Sequence, residues 1–292
     1  MDINRAQACR YIDLSAVARP DIVCLPENFL HVGLRQHDPP VVEDIFGPTI
    51  EDLSEKARQH RTYVSGTVCT PGSTGGCATT AFLLDRHGSL VGRYEKVHPT
   101  IGEIIGREIT PGGTIPVFTT DFGRVGFATC SDIGSPEHWE ALAQRGAELV
   151  LWASVDDGGF PLRAYAWRHQ YWIASAVRTQ QSAIIDPTGR VIATTSAWIK
   201  QLPWTVDLDR QIFHVNYQEE KLARLLAERR NVRTEALPEE GIFTLESDDP
   251  DWPVSRLMGH YGLETYAQYH ARATIVQDTA RGVSTLPFLS TR

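Results

Sequence analysis

The 292-residue sequence predicts an α/β fold on three grounds. Short runs rich in β-branched and aromatic residues alternate with helix-patterned stretches along most of the chain. Asp85-Arg-His-Gly88 and Asp186-Pro-Thr-Gly189 each join two apolar runs as a hairpin turn would, so antiparallel pairs interrupt any parallel sheet. A balance of 42% hydrophobic and 22% charged residues is that of an ordinary globular chain with a sizeable core.

In order, the runs read as strands are Ile22 to Leu25, Tyr63 to Val68, Thr80 to Leu84, Leu90 to Tyr94, Val125 to Thr129, Leu149 to Ala153, Trp172 to Val177, Ala183 to Asp186 and Val191 to Thr194. The best-defined helix starts with Ser135 as cap, Pro136 at the first helical position and Glu137 in the first turn. Trp139, Leu142 and Ala143 share one face of it, and Gly146 closes it. Two further helices, Ile50 to Gln59 and Gln218 to Glu228, carry apolar stripes among charges and read as surface helices covering a sheet. From Asn231 to Pro253 the composition turns to Pro, Glu and Asp with little periodicity, which reads as an extended arm. Helical character returns over Gly262 to Ala280, with Tyr266, Tyr269 and His270 close together. The expected organisation is therefore one domain over 1–230 and an arm with a helix over 231–292.

Charge and cysteine usage narrow the function classes. With 28 Lys plus Arg against 36 Asp plus Glu, the formal charge is −8, which argues against a nucleic-acid partner or a polybasic membrane surface. The longest apolar stretch, Leu149 to Val155, is far shorter than the ~18 residues of a membrane span. Five cysteines, at 9, 24, 69, 77 and 130, form no Cys-x-x-Cys pair, and the N-terminal residues lack the apolar core of a secretion signal. Free thiols in a reducing cytoplasm are the expectation. The ten histidines include no His-Glu-x-x-His, and the glycine-rich Gly72 to Gly76 is not followed by Gly-Lys-Ser/Thr, so neither a metal nor a nucleotide cofactor is expected.

Cys130 ends an apolar run just ahead of the helix capped at Ser135, a strand-to-helix turn where nucleophiles stand. A free thiol is mostly protonated at neutral pH and needs a base and a positive environment to act. Glu27, after the strand Ile22 to Leu25, and Lys96, after the run ending at Tyr94, also occupy strand ends, where α/β sites are built. Against these readings stand a buried structural cysteine, a solvated loop acid and a surface lysine.

Pro26-Glu27, Tyr94-Glu-Lys96-Val-His98 and Phe122-Gly-Arg-Val-Gly126 leading to Cys130-Ser-Asp132 with Pro136-Glu137 resemble the nitrilase superfamily of carbon–nitrogen hydrolases. Phe46-Gly47-Pro48, Asp85 to Gly88, Pro111-Gly112, Gly146-Ala147-Glu148 and Asp186 to Arg190 extend the resemblance over about residues 10 to 210. It implies a four-layer αββα sandwich and a homodimer or larger homo-oligomer, to which the C-terminal arm would contribute. It also implies amide hydrolysis through a thioester on Cys130, with Glu27 as general base and Lys96 as the cation near the oxyanion. A second glutamate between Lys96 and Cys130 is common in the family, and Glu103 fits its place better than Glu108. Acyl transfer or nitrile hydrolysis through the same thioester, and a binding homologue without turnover, are the alternatives.

Departures from the pattern bear on the substrate. Ser131-Asp132 follows the nucleophile where an aromatic residue or Trp-Glu is usual, and the Asp favours amides over nitriles. Thr79 stands where an Asn is common, and no Asn lies near Val177. Ser131, Trp152 and Asp156 are the candidate substrate contacts; Trp198, Trp204 and Phe160 are candidates for the pocket wall or the core. The family's opening strand precedes its first helix, whereas Met1 stands within that helix, so the resemblance places the strand upstream of this sequence.

Overall fold

Alternating side chains along the strands build the first unit of the chain, Met1–Leu208, around two stacked sheets. The computed structural model describes residues 2–34, 38–73, 75–179 and 181–282; Thr74 of the glycine-rich stretch and residues 283–292 of the C-terminal segment lie outside them. The first half of this unit contains α1 (Asp2–Ser15), β1 (Ile22–Cys24), α2 (Pro48–His60), β2 (Tyr63–Pro71), β3 (Cys77–Leu84), β4 (Leu90–Glu95) and the short α3 (Ile101–Arg107). Its sheet runs β1-β2-β3-β4, with β1 parallel to β2 and the rest antiparallel.

The second half contains β5 (Val117–Thr119), β6 (Arg124–Thr129), α4 (Pro136–Gln144), β7 (Leu149–Ser154), α5 (Gly159–His169), β8 (Trp172–Val177), β9 (Ala183–Ile185) and β10 (Val191–Thr194). Here the order is β10-β9-β8-β7-β6-β5, a parallel β6-β7-β8 centre with antiparallel strands on both sides. The two hairpin signatures act as expected. Asp85 accepts from the N–H groups of His87 and Ser89, both at 2.8 Å, and Asp186 accepts from those of Thr188 and Arg190 at 2.9 and 3.0 Å.

Three apolar layers follow from the alternation. Ile12, Leu53 and Ala57 on the first two helices pack on Val64, Val68, Phe82 and Leu84. Their strand neighbours Tyr63, Ala81 and Leu83 face the other way, onto Val125, Phe127, Leu149 and Leu151 of the second sheet. Val150 and Trp152 then lie under Trp139, Leu142, Leu162 and Ala166 of α4 and α5. Helix, sheet, sheet and helix are thus stacked as the αββα sandwich. Each buried Leu in these layers is worth about 2–5 kcal/mol against truncation to Ala. Gly126 allows α4 to sit tightly on β6, since a Cβ there would come within 2.7 Å of Leu142.

The second unit, Asp209–Arg292, comprises β11 (Gln211–His214), α6 (Glu219–Glu228), β12 (Val232–Leu237), β13 (Ile242–Ser247), α7 (Val254–Tyr261) and α8 (Tyr266–Arg281). Its sheet runs β11-β13-β12, and Phe213, Phe243, Leu245, Val254 and Leu257 form its own core. The stretch expected as an extended arm is largely a hairpin, and the chain divides at Leu208/Asp209 rather than at 230/231, because β11 pairs with β13. Composition hid β12 because its middle residues, Arg233 to Ala236, are exposed, and Arg233 pairs at the surface with Glu246 instead of burying an apolar side chain.

Candidate active site

Two strand ends of the first sheet place opposite charges in a dry interior. Leu25 continues the β1 ladder through its N–H to Ser65 O at 2.7 Å, and the chain then turns, with Asn28 in the left-handed region at φ 44°. Glu27, carried on that turn, is 2% exposed. Lys96 directly follows β4, its N–H on Thr79 O at 2.9 Å, and is 1% exposed. Its Nζ lies 3.1 Å from Glu27 Oε1 and 2.9 and 3.0 Å from the two carboxylate oxygens of Glu103.

Local sequence explains why Glu103 is there. Thr100 caps α3, donating its N–H to Glu103 Oε2 at 2.7 Å and accepting the Glu103 N–H on Oγ1 at 3.2 Å. This capping box fixes the carboxylate that also receives Lys96. Glu108 is the exposed left-handed residue that ends the same helix, so of the two glutamates it is Glu103 that meets the lysine. Burial pushes the Glu27 carboxyl above its ordinary value, against the pull of Lys96. Burial also opposes the charge on Lys96, but Glu27 and Glu103 outweigh it and hold the ammonium above its usual range. For Glu103 the desolvation is overcome by Lys96 and the Thr100 bonds, and its pKa falls.

The second sheet supplies the thiol. β6 ends at Thr129, and Cys130 turns the chain with φ 45° into a tight helical turn over Cys130–Gly134. A side chain in this region is strained by roughly 1–2 kcal/mol, so the surroundings must impose it. They do so through Asp132, which is fully buried. Its Oδ2 accepts from Thr129 N at 2.7 Å and from the Tyr94 hydroxyl at 2.6 Å. Its Oδ1 accepts from His98 N at 3.0 Å and pairs with His98 Nδ1 at 3.1 Å. Indole N–H groups hold the turn from the other side, Trp152 on Cys130 O at 3.2 Å and Trp139 on Asp132 O at 3.0 Å. The Cys130 thiol itself interacts with Glu27 and the Ser154 hydroxyl, and burial, then the Glu27 charge, pushes its pKa up to about 11.

The predicted residues therefore separate into two groups. Glu27, Lys96, Glu103 and Cys130 converge. Ser131 turns its hydroxyl to His98 O at 2.5 Å, and Trp152 is buried with its indole N–H on the Cys130 carbonyl. Asp156 is an exposed residue after β7 whose N–H meets Ser154 Oγ at 3.1 Å. Trp198, Trp204 and Phe160 are exposed, and Trp198 at 92% belongs to no core. Sequence reasoning missed Ser154 and the bracing role of Tyr94 and Asp132, although Tyr94 and Asp132 lie inside the quoted motifs. Among the described residues, His98, Asp132 and His138 bring possible metal-ligand atoms within 4.8 Å of one another. The Asp132 carboxylate is already committed to four protein donors, so the arrangement is that of a hydrogen-bond network.

This geometry coincides with a family match. The carbon–nitrogen hydrolase family model matches residues 4–212. The chain belongs to the carbon–nitrogen hydrolase family. It is similar to the omega-amidase NIT2 of Homo sapiens, 28% identical over 218 residues that make up 65% of this chain and 78% of that one. An amidase from Nesterenkonia sp. superposes with a TM-score of 0.57 at 20% identity, covering 67% of this chain and 80% of that one. Nit3 of Saccharomyces cerevisiae, of the nitrilase superfamily, gives 0.57 at 20% identity over 66% and 80%. The carbon–nitrogen hydrolase described here thus has the αββα fold and is an enzyme that hydrolyses non-peptide C–N bonds.

Proposed function

We propose that this carbon–nitrogen hydrolase cleaves a small amide or carbamoyl compound through a thioester on Cys130. The observation that carries the reading is the buried Glu27–Lys96–Glu103 ion cluster set against a thiol held in a strained turn. A thiol whose pKa is pushed up to about 11 is neutral at rest, so it must lose its proton as it attacks. Glu27, ionised beside it, accepts that proton. The Cys130 sulfur bonds to the amide carbonyl carbon, and the carbonyl oxygen becomes an oxyanion facing the Lys96 ammonium and the N–H of Ser131. That N–H lies in the first turn of the Cys130–Gly134 helical turn, where no intrahelical acceptor exists.

Glu27 next hands the proton to the departing nitrogen, the C–N bond breaks, and ammonia or an amine leaves the thioester behind. A water deprotonated by Glu27 attacks the thioester, releasing the acid and returning the thiol. Glu103 keeps Lys96 charged and fixed throughout. Ser131 and Trp152 act as positioning residues for the turn, and Asp156 stands at its outer rim. Cysteines that are free in the structure support a cytoplasmic setting. We read the enzyme as a homo-oligomer, which a light-scattering mass of 32.5 kDa would refute.

Intact-mass spectrometry of wild type and Cys130→Ala with a panel of simple amides, carbamoyl amines and nitriles, beside an ammonia assay, tests the reading. Ammonia release and a transient adduct that both need Cys130 are expected, with amides ahead of nitriles. Ammonia release that survives in Cys130→Ala, or silence across the panel with a folded-state Cys130 inert to iodoacetamide, overturns it.

A further inference from the structure

Two of the five free cysteines meet. Cys69 of β2 and Cys77 of β3 are buried together and packed on Ile109. The hairpin register sets Cys69 opposite Thr79 and Cys77 opposite Pro71, so the two thiols are diagonal neighbours on one face. It is the face that also turns Tyr63, Ala81 and Leu83 toward the second sheet. The single proton of the Cys69 thiol is shared between Asn28 Oδ1 at 3.6 Å and the Cys77 sulfur. That hydrogen bond draws the Cys77 pKa down to about 7, against burial, and pushes the Cys69 pKa up. A partly ionised sulfur at neutral pH thus sits against a protonated one that can close on it. Cys77 is the first residue of β3, directly after the exposed Gly75 and Gly76, so it lies beneath the hairpin end at the surface.

Each thiol is tied to one carboxylate of the charge cluster. Cys69 holds Asn28, the left-handed residue that directly follows Glu27. Cys77 holds the end of α3, which carries Glu103. Its N–H donates to Glu108 O at 3.2 Å, its carbonyl accepts from Thr110 N at 2.7 Å, and its thiol reaches Arg107 O at 3.9 Å. Between them, Ile109 N donates back to Glu103 O at 3.1 Å. The Cβ atoms of diagonal neighbours lie further apart than the about 4 Å that a disulfide spans, so a bond between these sulfurs must draw the two strands together. It would also take the S–H donor from Asn28 and pull the segment that closes α3.

We infer that Cys69 and Cys77 are a redox modification site, oxidised by a peroxide to a reversible disulfide that slows the enzyme by displacing Glu27 and Glu103 from Lys96. The effect on turnover rests on the proposed hydrolase reading, whereas formation of the link does not. The Cys77 thiolate attacks one peroxide oxygen, the O–O bond breaks, and the hydroxide that leaves takes up a proton to become water. Cys77 is then a sulfenic acid. The Cys69 sulfur bonds to it, the S–O bond breaks, and the hydroxyl departs as a second water with the Cys69 proton. Two thiols are oxidised to one disulfide as the peroxide is reduced by two electrons to two waters. Transient links of this kind suit a reducing compartment, where thiols are returned by exchange.

The test titrates wild type, Cys69→Ala, Cys77→Ala and Cys130→Ala with hydrogen peroxide, maps the thiols by non-reducing peptide mass spectrometry and follows ammonia release from the best amide of the panel. In wild type a Cys69–Cys77 link is expected before Cys130 is modified, with kcat falling about tenfold and returning on treatment with dithiothreitol. Cys130→Ala should form the same link. Cys69→Ala and Cys77→Ala should turn over like the reduced wild type and keep that activity at the dose that slows it. If neither of these two folds, the wild type still decides, because link, loss and recovery must run together. No link at doses that oxidise Cys130, a link that leaves kcat unchanged, or an equal loss in Cys77→Ala would each overturn the switch while leaving the hydrolase intact. Absence of ammonia from the reduced protein with every amide would overturn the hydrolase reading, and mapping on Cys130→Ala would then still decide whether the pair is oxidised.

Discussion

The two sheets contribute opposite kinds of difficulty to one site. The first holds Glu27, Lys96 and Glu103, charges kept in a dry place by one another at 2.9 to 3.1 Å. The second holds Cys130, a neutral thiol kept in a conformation its side chain disfavours. Both sheets need a left-handed residue where the chain leaves the strand. On the first sheet that residue is Asn28, next to the acid, and Asn tolerates the region at low cost. On the second it is Cys130 itself, the proposed nucleophile. The lesson is that electrostatic order can be built from paired charges, whereas aiming a short side chain out of a strand end requires strain at the residue that carries it.

The sharpest way to break this comparison is to remove the thiol. Cys130→Ala should lose at least about 10⁴-fold in turnover with the charge cluster intact, since the proposed nucleophile has no substitute. Next comes the charge cluster. Lys96→Gln leaves Glu27 and Glu103 facing each other without their cation, and breaking a buried pair in this way costs about 3–5 kcal/mol at neutral pH. The sign with pH is fixed by Glu27, whose carboxyl is already raised above 4.5 and would rise further without Lys96. A raised acid favours the folded state when protonated, so the deficit should shrink as pH falls through that raised value. Thermal unfolding of both proteins from pH 8 to pH 5 checks this; a deficit that grows on acidification would deny the cluster its electrostatic role. For the wild type, the acid limb of kcat/KM should lie above 4.5 for the same reason, because the proposed mechanism needs Glu27 ionised to take the proton.

A third variant asks how the strain is held. Asp132→Asn keeps the shape but puts an NH₂ where an oxygen accepted two donors. Turnover should fall about 10–100-fold through misplacement of the thiol, and mainly in kcat. Stability should fall by about 2–4 kcal/mol. If KM alone changed, Asp132 would belong to substrate binding instead.

The bracing role of Asp132 marks where the sequence stopped being legible. Strand ends at Glu27, Lys96 and Cys130, the helix capped at Ser135 and the two Asp-to-Gly turns were readable because each is a local signal, a run, a cap or a turn. The bracing of the elbow is not local: Tyr94 and Asp132 meet only when two sheets stack, and nothing in either segment announces it. In the second unit, β12 escaped because it lacks an apolar face and gains its order from β13 beside it.

The smallest effect bears most directly on strain. Glycine usually destabilises a chain relative to alanine by widening the unfolded ensemble, but at a positive φ the preference reverses, because only glycine lacks the Cβ that clashes there. Cys130→Gly and Cys130→Ala remove the same thiol and leave Glu27, Lys96 and Asp132 in place. The Gly variant should therefore be the more stable of the two by about 1 kcal/mol in urea unfolding. Equal stability, or a more stable Ala variant, would mean that the turn at 130 carries no strain. The contrast drawn between the two sheets would then reduce to charge alone.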